Sequence, residues 1–250
     1  MNAVVVIPTY NEADNLEKLA ALVFSHAPEV HILVVDDNSP DGTGAIADRL
    51  AAEHAGKIHV LHRTAKEGLG RAYIAGFQWA LERGYEAMIE MDADFSHDPL
   101  YLASMLEAGE EADVVVGSRY LNGISVINWP LRRILLSWGA NKYVRTVTRL
   151  PVNDCTSGYR LYRRRVLERV QLNSVKSNGY SFQVEMTFRA FIAGFQITEV
   201  PIIFVERRAG QSKMSKQVIW ESMQIPLKLR LRERKMRQQL NPTGVVSAAR

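Results

Sequence analysis

Ile32-Leu-Val-Val35 runs directly into Asp36-Asp37-Asn38-Ser39 and then Pro40-Asp41-Gly42, and this stretch decides the fold. Four apolar residues, three of them β-branched, are too short a run for a helix and suit a strand buried on both faces, as in a parallel sheet. The polar end and the Pro-Asp-Gly turn hand the chain to a helix expected over about residues 43–54. The same pattern stands upstream. Ala3-Val-Val-Val-Ile7, stopped by Pro8, reads as a strand, and Leu16, Leu19, Ala20 and Val23 recur at helical spacing to about His26, with Asn11 as a candidate cap. Downstream, strands are expected at residues 58–61, 87–91 and 113–117, with helices at 70–82 and after Pro99. Strands alternating with helices predict an α/β fold with a doubly wound, mostly parallel sheet.

Beyond Gly117 the pattern changes. Residues 124–150 mix Trp129, Leu131, Ile134, Leu135, Leu136 and Trp138 with Arg132, Arg133, Lys142, Arg145 and Arg149, which predicts an amphipathic helix. Residues 156–185 carry no clear period, residues 196–205 return as a strand, and a last helix follows Ser215. Residues 1–240 are expected to form a single domain, with 241–250 a frayed tail.

The 250 residues are 47% hydrophobic and 23% charged, ordinary for a globular chain, which excludes a disordered or disulfide-built protein. Cys155 is the single cysteine and has no partner for an intrachain disulfide. The Met1 start lacks a basic segment followed by an apolar one, and no run of about 18 apolar residues occurs. These features predict a cytoplasmic setting. The net charge is +4, and it is local: between Lys228 and Arg237 six basic residues stand against Glu233 alone. The rest of the chain is nearly neutral, so a basic nucleic-acid coat, and with it a nucleic-acid partner, is not expected.

In parallel α/β sheets ligands bind beyond the carboxyl ends of the strands. Three such ends are polar here: Pro8-Thr9-Tyr10-Asn11-Glu12, Asp36-Asp37-Asn38-Ser39 and Asp92-Ala93-Asp94. Each alone also reads as an ordinary turn. Asp-x-Asp after an apolar strand offers hard oxygen ligands for Mg²⁺ or Mn²⁺, with a diphosphate and water completing the shell, so a nucleotide-linked substrate is expected. Gly68-Leu69-Gly70 can open a helix around a phosphate but lacks the third glycine of a dinucleotide fingerprint. His97 reads as a surface histidine packing near Pro99, and Cys155 as a packing residue without a histidine partner. Phe182, Met186, Phe188 and Phe191 read as core, whereas Glu185 is open between core and site. Two rival classes exist. Residues 88–96 superficially resemble the apolar strand and Asp-x-Asp of haloacid-dehalogenase-like phosphatases, although that motif normally opens its domain. The basic C-terminal stretch with the Trp129 region would suit a non-catalytic membrane-surface adaptor.

Together the blocks resemble the GT-A (nucleotide-diphospho-sugar transferase) glycosyltransferases of inverting family 2, and within them the dolichol-phosphate (polyprenol monophosphate) mannose synthases. The resemblance rests on Ile7-Pro-Thr-Tyr-Asn-Glu12, Val35-Asp-Asp-Asn-Ser-Pro-Asp-Gly42, Gly68-Leu-Gly70, Met91-Asp-Ala-Asp94, Gly117-Ser-Arg119, Asp154-Cys-Thr-Ser-Gly-Tyr-Arg160, and Arg207 with Gly210-Gln-Ser-Lys213. It implies transfer of mannose from GDP-mannose to a polyprenyl phosphate with inversion, with another sugar nucleotide of the UDP-glucose type as the alternative. It further implies that Pro8, Tyr10, Glu12, Val35 and Asp37 hold the guanosine, and that Asp92, Ala93 and Asp94 hold the sugar diphosphate. The metal, Mg²⁺ or Mn²⁺, falls to Asp92 and Asp94. Arg119, Arg207 and Lys213 would face the donor phosphates, and Arg133 and Ser137, with Arg119 and Arg207, the acceptor phosphate. Asp92, Asp94, Arg119 and Arg207 would then carry catalysis. Ser96 stands where some family members have Gln as a further metal ligand, and a water can substitute there. A lipid acceptor implies peripheral contact with the cytoplasmic membrane face, with a membrane-anchoring partner or a surface helix. Val218, Ile219, Trp220, Met223 and Leu227 beside the basic run suggest that residues 213–237 form a helix lying on the membrane, apolar side down; the alternative is a helix packed on the sheet.

Overall fold

The computed structural model describes residues 1–205 and 216–240, the side chains of the latter from Met223 onward. The first half alternates as expected: β1 (Ala3–Thr9), α1 (Leu16–His26), β2 (His31–Asp36), α2 (Thr43–Glu53), β3 (Ile58–His62), α3 (Leu69–Glu82), β4 (Ala87–Glu90), α4 (Leu102–Glu111) and β5 (Val114–Ser118). Then follow β6 (Val126–Ile127), α5 (Leu131–Thr148), β7 (Arg160–Arg163), α6 (Arg164–Arg169), α7 (Gly179–Ile192), β8 (Ile197–Pro201), β9 (Phe204–Val205) and α8 (Lys216–Leu240). Seven strands form one sheet in the order β3-β2-β1-β4-β7-β5-β8, and β6 pairs with β9 in a small second sheet.

Side chains alternate across the sheet and fill both faces, which is why the strands read as continuous apolar runs. Val5, Ile7, Ile32, Val34 and Ile89 pack with Leu16, Leu19, Leu102 and Met105 beneath α1 and α4. Val4, Val6, Leu33, Val35 and Met88 point the other way, onto Tyr73 and Phe77 of α3 and Phe182 and Met186 of α7. Of the stripe expected to be core, Phe182, Met186 and Phe188 are fully buried and Phe191 is partly buried.

Three expectations need correction. Asn11 does not cap α1: it lies in the left-handed region, and the carbonyl of Glu12 instead accepts the N–H groups of Asn15 and Leu16. Residues 156–185 contain β7, which runs antiparallel to both β4 and β5 inside an otherwise parallel sheet. The expected strand over 196–205 is two, because β8 stays in the large sheet and β9 leaves it to join β6.

No helix among the described residues is long and apolar enough to cross a membrane. Helix α8 packs on α5 and α7. Leu229, Met236 and Leu240 are buried there with Val144, Val184 and Phe188, so this apolar row is not available to a bilayer. Met223 and Leu227 remain half exposed and Leu231 is 86% exposed. Residues 241–250, expected as a tail, lie outside the described residues, as do the side chains of Val218, Ile219 and Trp220.

Candidate active site

The parallel strands deliver their carboxyl ends to one edge of the sheet. Register places Pro8 beside Val35 and Thr9 beside Asp36, so the first two polar strand ends meet. Asp36 ties them together: one carboxylate oxygen accepts from Thr9 Oγ1 (3.0 Å) and Ser39 Oγ (2.6 Å), the other from the Ser39 N–H. Asp37 donates its N–H to the Thr9 carbonyl and pairs with Arg63 at 2.6 Å. Burial raises the Asp37 carboxyl above its ordinary value, partly offset by the Arg63 guanidinium. Glu12 accepts from Asn15 Nδ2 at 2.8 Å, and its N–H donates to Thr43 Oγ1. The Tyr10 ring is exposed under the Lys66 ammonium. Tyr10, Glu12 and Asp37 thus stand just beyond the ends of β1 and β2, whereas the Val35 side chain is buried in the core and its backbone lies between β1 and β3.

The turn after β4 is held more tightly. Asp92 accepts a hydrogen bond from Tyr73 Oη at 3.1 Å on Oδ1, and its N–H donates to His97 Nδ1 at 3.0 Å. Asp94 Oδ1 accepts the Ser96 N–H at 3.0 Å. Phe95 between them lies in the left-handed region, a conformation that a bulky residue adopts only where its surroundings enforce it. Ala93 is buried. His97 is not a surface residue: it is buried and stacks on Tyr159 with ring centroids 5.0 Å apart. The expectation failed because Tyr159 arrives from far along the chain.

The donor set suits a hard divalent cation. Two carboxylates project from one turn, and no group of three or more His, Cys, Asp or Glu side chains capable of holding a metal occurs among the described residues. Asp92 and Asp94 can therefore supply two ligands and leave positions for substrate oxygens and water, as Mg²⁺ and Mn²⁺ sites commonly do. Ser96 Oγ, buried beside them, has no hydrogen-bond partner among the described residues. Behind the turn, Glu90 accepts from Gln183 at 2.6 Å, and burial pushes its carboxyl up to about 8 against the nearby charge of Arg160. Burial thus disfavours a further negative charge behind the turn.

Arg119 follows β5 and is buried. Its Nε and Nη2 donate to the two carboxylate oxygens of Asp154 at 2.6 and 2.7 Å, its main-chain N–H donates to the same group, and Nη2 also reaches Thr156 Oγ1. Burial alone would raise the Asp154 carboxyl, but the Arg119 guanidinium and its hydrogen bonds outweigh this and hold it below the usual carboxylate range. The residue types of Asp154 and Arg119 were visible in the motifs, but their bidentate pairing across 35 positions was not.

Arg119 opens onto a cavity of about 950 Å³ between α5, α7 and α8. Its rim brings together Arg119, Arg133 and Ser137, and its walls include Leu135, Leu136, Val184, Met223 and Ile225. The Arg133 guanidinium lies 4.0 Å over the Trp129 ring, and Ser137 Oγ accepts from Tyr120 Oη at 2.8 Å. Along α5, Leu131 is 70% exposed and Leu135, Leu136 and Trp138 are also exposed. The helix expected over 124–150 is thus present only over 131–148, because Val126–Ile127 form β6, and much of its apolar surface is turned away from the core.

Several motif residues serve as scaffold. Gly70 packs against Phe182: a Cβ there would stand 2.9 Å from the ring. Glu185 is bonded to Arg189 and to Ser177, and so ties α7 to the loop before it. Cys155 is buried with its thiol pushed up to about 12 by burial, in keeping with packing and not nucleophilic attack. Arg207 and Lys213, expected at the donor phosphates, lie outside the described residues.

The chain is similar to known proteins. The family model for Glycosyl transferase family 2 matches residues 4–171. The chain is 53% identical over 220 residues to the polyprenol monophosphomannose synthase of Mycolicibacterium smegmatis, covering 88% of this chain and 83% of that one. It is 50% identical over 223 residues to the undecaprenyl-phosphate mannosyltransferase of Micrococcus luteus, covering 89% and 91%. Among solved structures, glucosyl-3-phosphoglycerate synthase from Mycobacterium tuberculosis, in complex with Mn²⁺, UDP and phosphoglyceric acid, superposes with a TM-score of 0.65 at 16% identity, over 93% of this chain and 78% of that one. A mannosyltransferase from Pyrobaculum calidifontis in complex with GDP-Man and Mn²⁺ gives a TM-score of 0.55 at 16% identity, over 96% and 73%. With the strand-end acids, the β5 arginine and more than half of the chain matched by one family model, the protein belongs to glycosyl transferase family 2 and carries the GT-A fold.

Proposed function

We propose that this enzyme transfers mannose from GDP-mannose to a polyprenyl phosphate, with inversion, giving polyprenyl-phosphate β-mannose and GDP. The observation that carries this reading is the cavity, whose lining sets Arg119, Arg133 and Ser137 among the apolar side chains of Leu135, Leu136, Val184 and Ile225. Such a site suits an anionic head on a hydrocarbon tail, and the names of the two relatives point to the same acceptor class.

The chemistry follows from the groups present. A phosphate monoester, with a second pKa of about 6, is largely dianionic at neutral pH and is a competent nucleophile without a general base. The protein must then gather two anionic reactants and stabilise the departing diphosphate. Arg119, fixed by Asp154, and Arg133, fixed over Trp129, are cations held in place before the acceptor arrives, so little reorganisation is needed during the reaction. Asp92 and Asp94 would hold Mg²⁺ or Mn²⁺, which supplies charge neutralisation to the leaving diphosphate. Tyr10, Glu12 and Asp37, with the main chain at Pro8 and Val35, would hold the guanosine. In-line attack by the acceptor phosphate, on the face opposite the departing diphosphate, would invert the anomeric carbon. A screen of radiolabelled sugar nucleotides with a short polyprenyl phosphate, followed by organic extraction, tests the reading. Label entering the organic phase from UDP-glucose in preference to GDP-mannose would reject the donor assignment.

Arg133→Ala should raise the KM for polyprenyl phosphate by about 10- to 150-fold, the equivalent of roughly 1.5–3 kcal/mol for a hydrogen bond to a charged phosphate. GDP-mannose affinity should stay nearly unchanged. Calorimetry showing an equal loss of donor affinity would reject the acceptor role of this residue.

The enzyme meets its lipid at the cytoplasmic membrane face through α5 and α8. Exposed Leu131, Leu135, Trp138, Leu227 and Leu231 lie on these helices with the basic run from Lys228 to Arg237. Each basic residue near an anionic surface contributes roughly 1 kcal/mol, and salt weakens it as the Debye length shortens. Intact protein should therefore float with anionic vesicles and be released by raised salt, and truncation after Gln217 should reduce vesicle binding. Equal flotation with neutral vesicles, insensitive to salt, would exclude an electrostatic contribution.

A further inference from the structure

Two buried side chains that the reaction itself does not require converge on Asp92. Tyr73 reaches it from α3, 19 residues earlier, donating its hydroxyl to Oδ1 at 3.1 Å. His97 closes on it from the following loop, accepting the Asp92 N–H on Nδ1 at 3.0 Å, which places the ring proton on Nε2. One contact fixes the carboxylate and the other fixes its main chain. Both rings are locked in turn. Tyr73 lies against Phe77 and Phe182, with centroids 6.1 and 6.2 Å away, and is fully buried. His97 is stacked on Tyr159 with Phe204 at its edge.

Two glycines of the sequence motifs make room for this backing. A Cβ on Gly70 would stand 2.9 Å from Phe182 Cδ2 and 3.0 Å from the Ser177 carbonyl. A Cβ on Gly158 would stand 3.1 Å from His97 Cε1. Neither glycine has a positive φ, so close approach accounts for them where backbone conformation does not.

We propose that Tyr73 and His97 are positioning residues which orient Asp92 for cation binding, with Gly70 and Gly158 required to seat them. This rests on the reading of Asp92 as a metal ligand given above. The Tyr73 hydroxyl holds Oδ1 in one rotamer and leaves Oδ2 directed by that choice, as outer partners of metal-bound carboxylates generally do. The His97 acceptor holds the peptide after β4 at the start of a turn that passes through the left-handed Phe95, so the two carboxylates keep one separation before a ligand arrives. Removing such an outer partner typically weakens metal affinity by about 10- to 100-fold.

The test is Mn²⁺ binding followed by electron paramagnetic resonance of free Mn²⁺, with GDP present, alongside thermal melts. Tyr73→Phe keeps the ring stack and deletes only the donor, so Mn²⁺ affinity should fall by about 10- to 100-fold with the melt in place. His97→Asn keeps an acceptor near the Nδ1 position and should bind Mn²⁺ within a few-fold of wild type, whereas His97→Leu should lose affinity as Tyr73→Phe does. Should Tyr73→Phe not fold, the histidine pair decides alone. Wild-type Mn²⁺ affinity in both Tyr73→Phe and His97→Leu would overturn the positioning role while leaving the metal assignment intact. Absence of Mn²⁺ binding by wild-type protein with GDP would overturn the metal assignment itself, and this inference with it.

Discussion

Asp94→Ala will lower mannosyl transfer by about a thousandfold, several kcal/mol of transition-state stabilisation, while leaving most of the fold's stability in place. The asymmetry comes from where the residue stands. Asp94 is only half buried at a strand end, and the hydrogen bond it accepts from the Ser96 N–H is a local turn contact worth about 1 kcal/mol. Its second effect is on charge: without it, one carboxylate of the Asp-x-Asp pair remains to hold a divalent ion against a doubly charged leaving group. Single-turnover rates with saturating Mn²⁺, compared with thermal melts of the same preparation, separate the two consequences. The metal assignment also requires wild-type enzyme to stop in excess EDTA. Undiminished turnover there would sink it.

How far the sequence announces this site depends on whether its contacts are local. β1 and β2 were legible because both faces of each strand are buried, which forces unbroken apolar runs, and their polar ends fall where the register then brings them together. The Asp92-Ala93-Asp94 turn was legible for the same reason. β7 was not. Arg160-Leu-Tyr-Arg163 has charged residues at both ends, and Arg160 is nevertheless fully buried in the middle of the sheet. Its guanidinium is accommodated by the carbonyls of Cys155 and Ser157 and by Thr187 Oγ1, the last from a different helix. No pattern within four residues can signal a partner 27 positions away. His97 was misread for a related reason: Pro99 and Asp98 around it suggest a surface turn, while the ring that buries it belongs to Tyr159. The helix α5 was legible as a helix but not as an amphipathic one: its apolar residues do not gather on one buried face, and only Asn141, Val144 and Thr148 are buried on it.

The largest stability effect is expected at Asp154, and it shows how the acceptor side of the site is built. Asp154 is completely buried and Arg119 nearly so, joined by two charge-assisted hydrogen bonds and a third from the arginine main chain. Asp154→Ala would leave the guanidinium buried without its counter-charge, at a cost of about 3–5 kcal/mol. For a chain of this size that lowers the melting temperature by about 6–20 °C. The pH dependence has a definite sign. Because the folded carboxyl is held below its ordinary value of 3.8, the pair contributes fully above that value and loses its contribution as pH falls through the lower, folded one. Wild-type stability should therefore fall on acidification in that window, and Asp154→Ala should flatten this part of the profile. Replacing both partners, Arg119→Met with Asp154→Leu, removes the stranded charge and should recover part of the lost stability. It should not recover transfer, since the cation that faces the cavity is then gone. Urea melts of wild type and the two variants at neutral pH and below pH 4, read beside transfer rates, check each step. A double variant that regains activity along with stability would show that Arg119 only supports the fold and does not meet the phosphate.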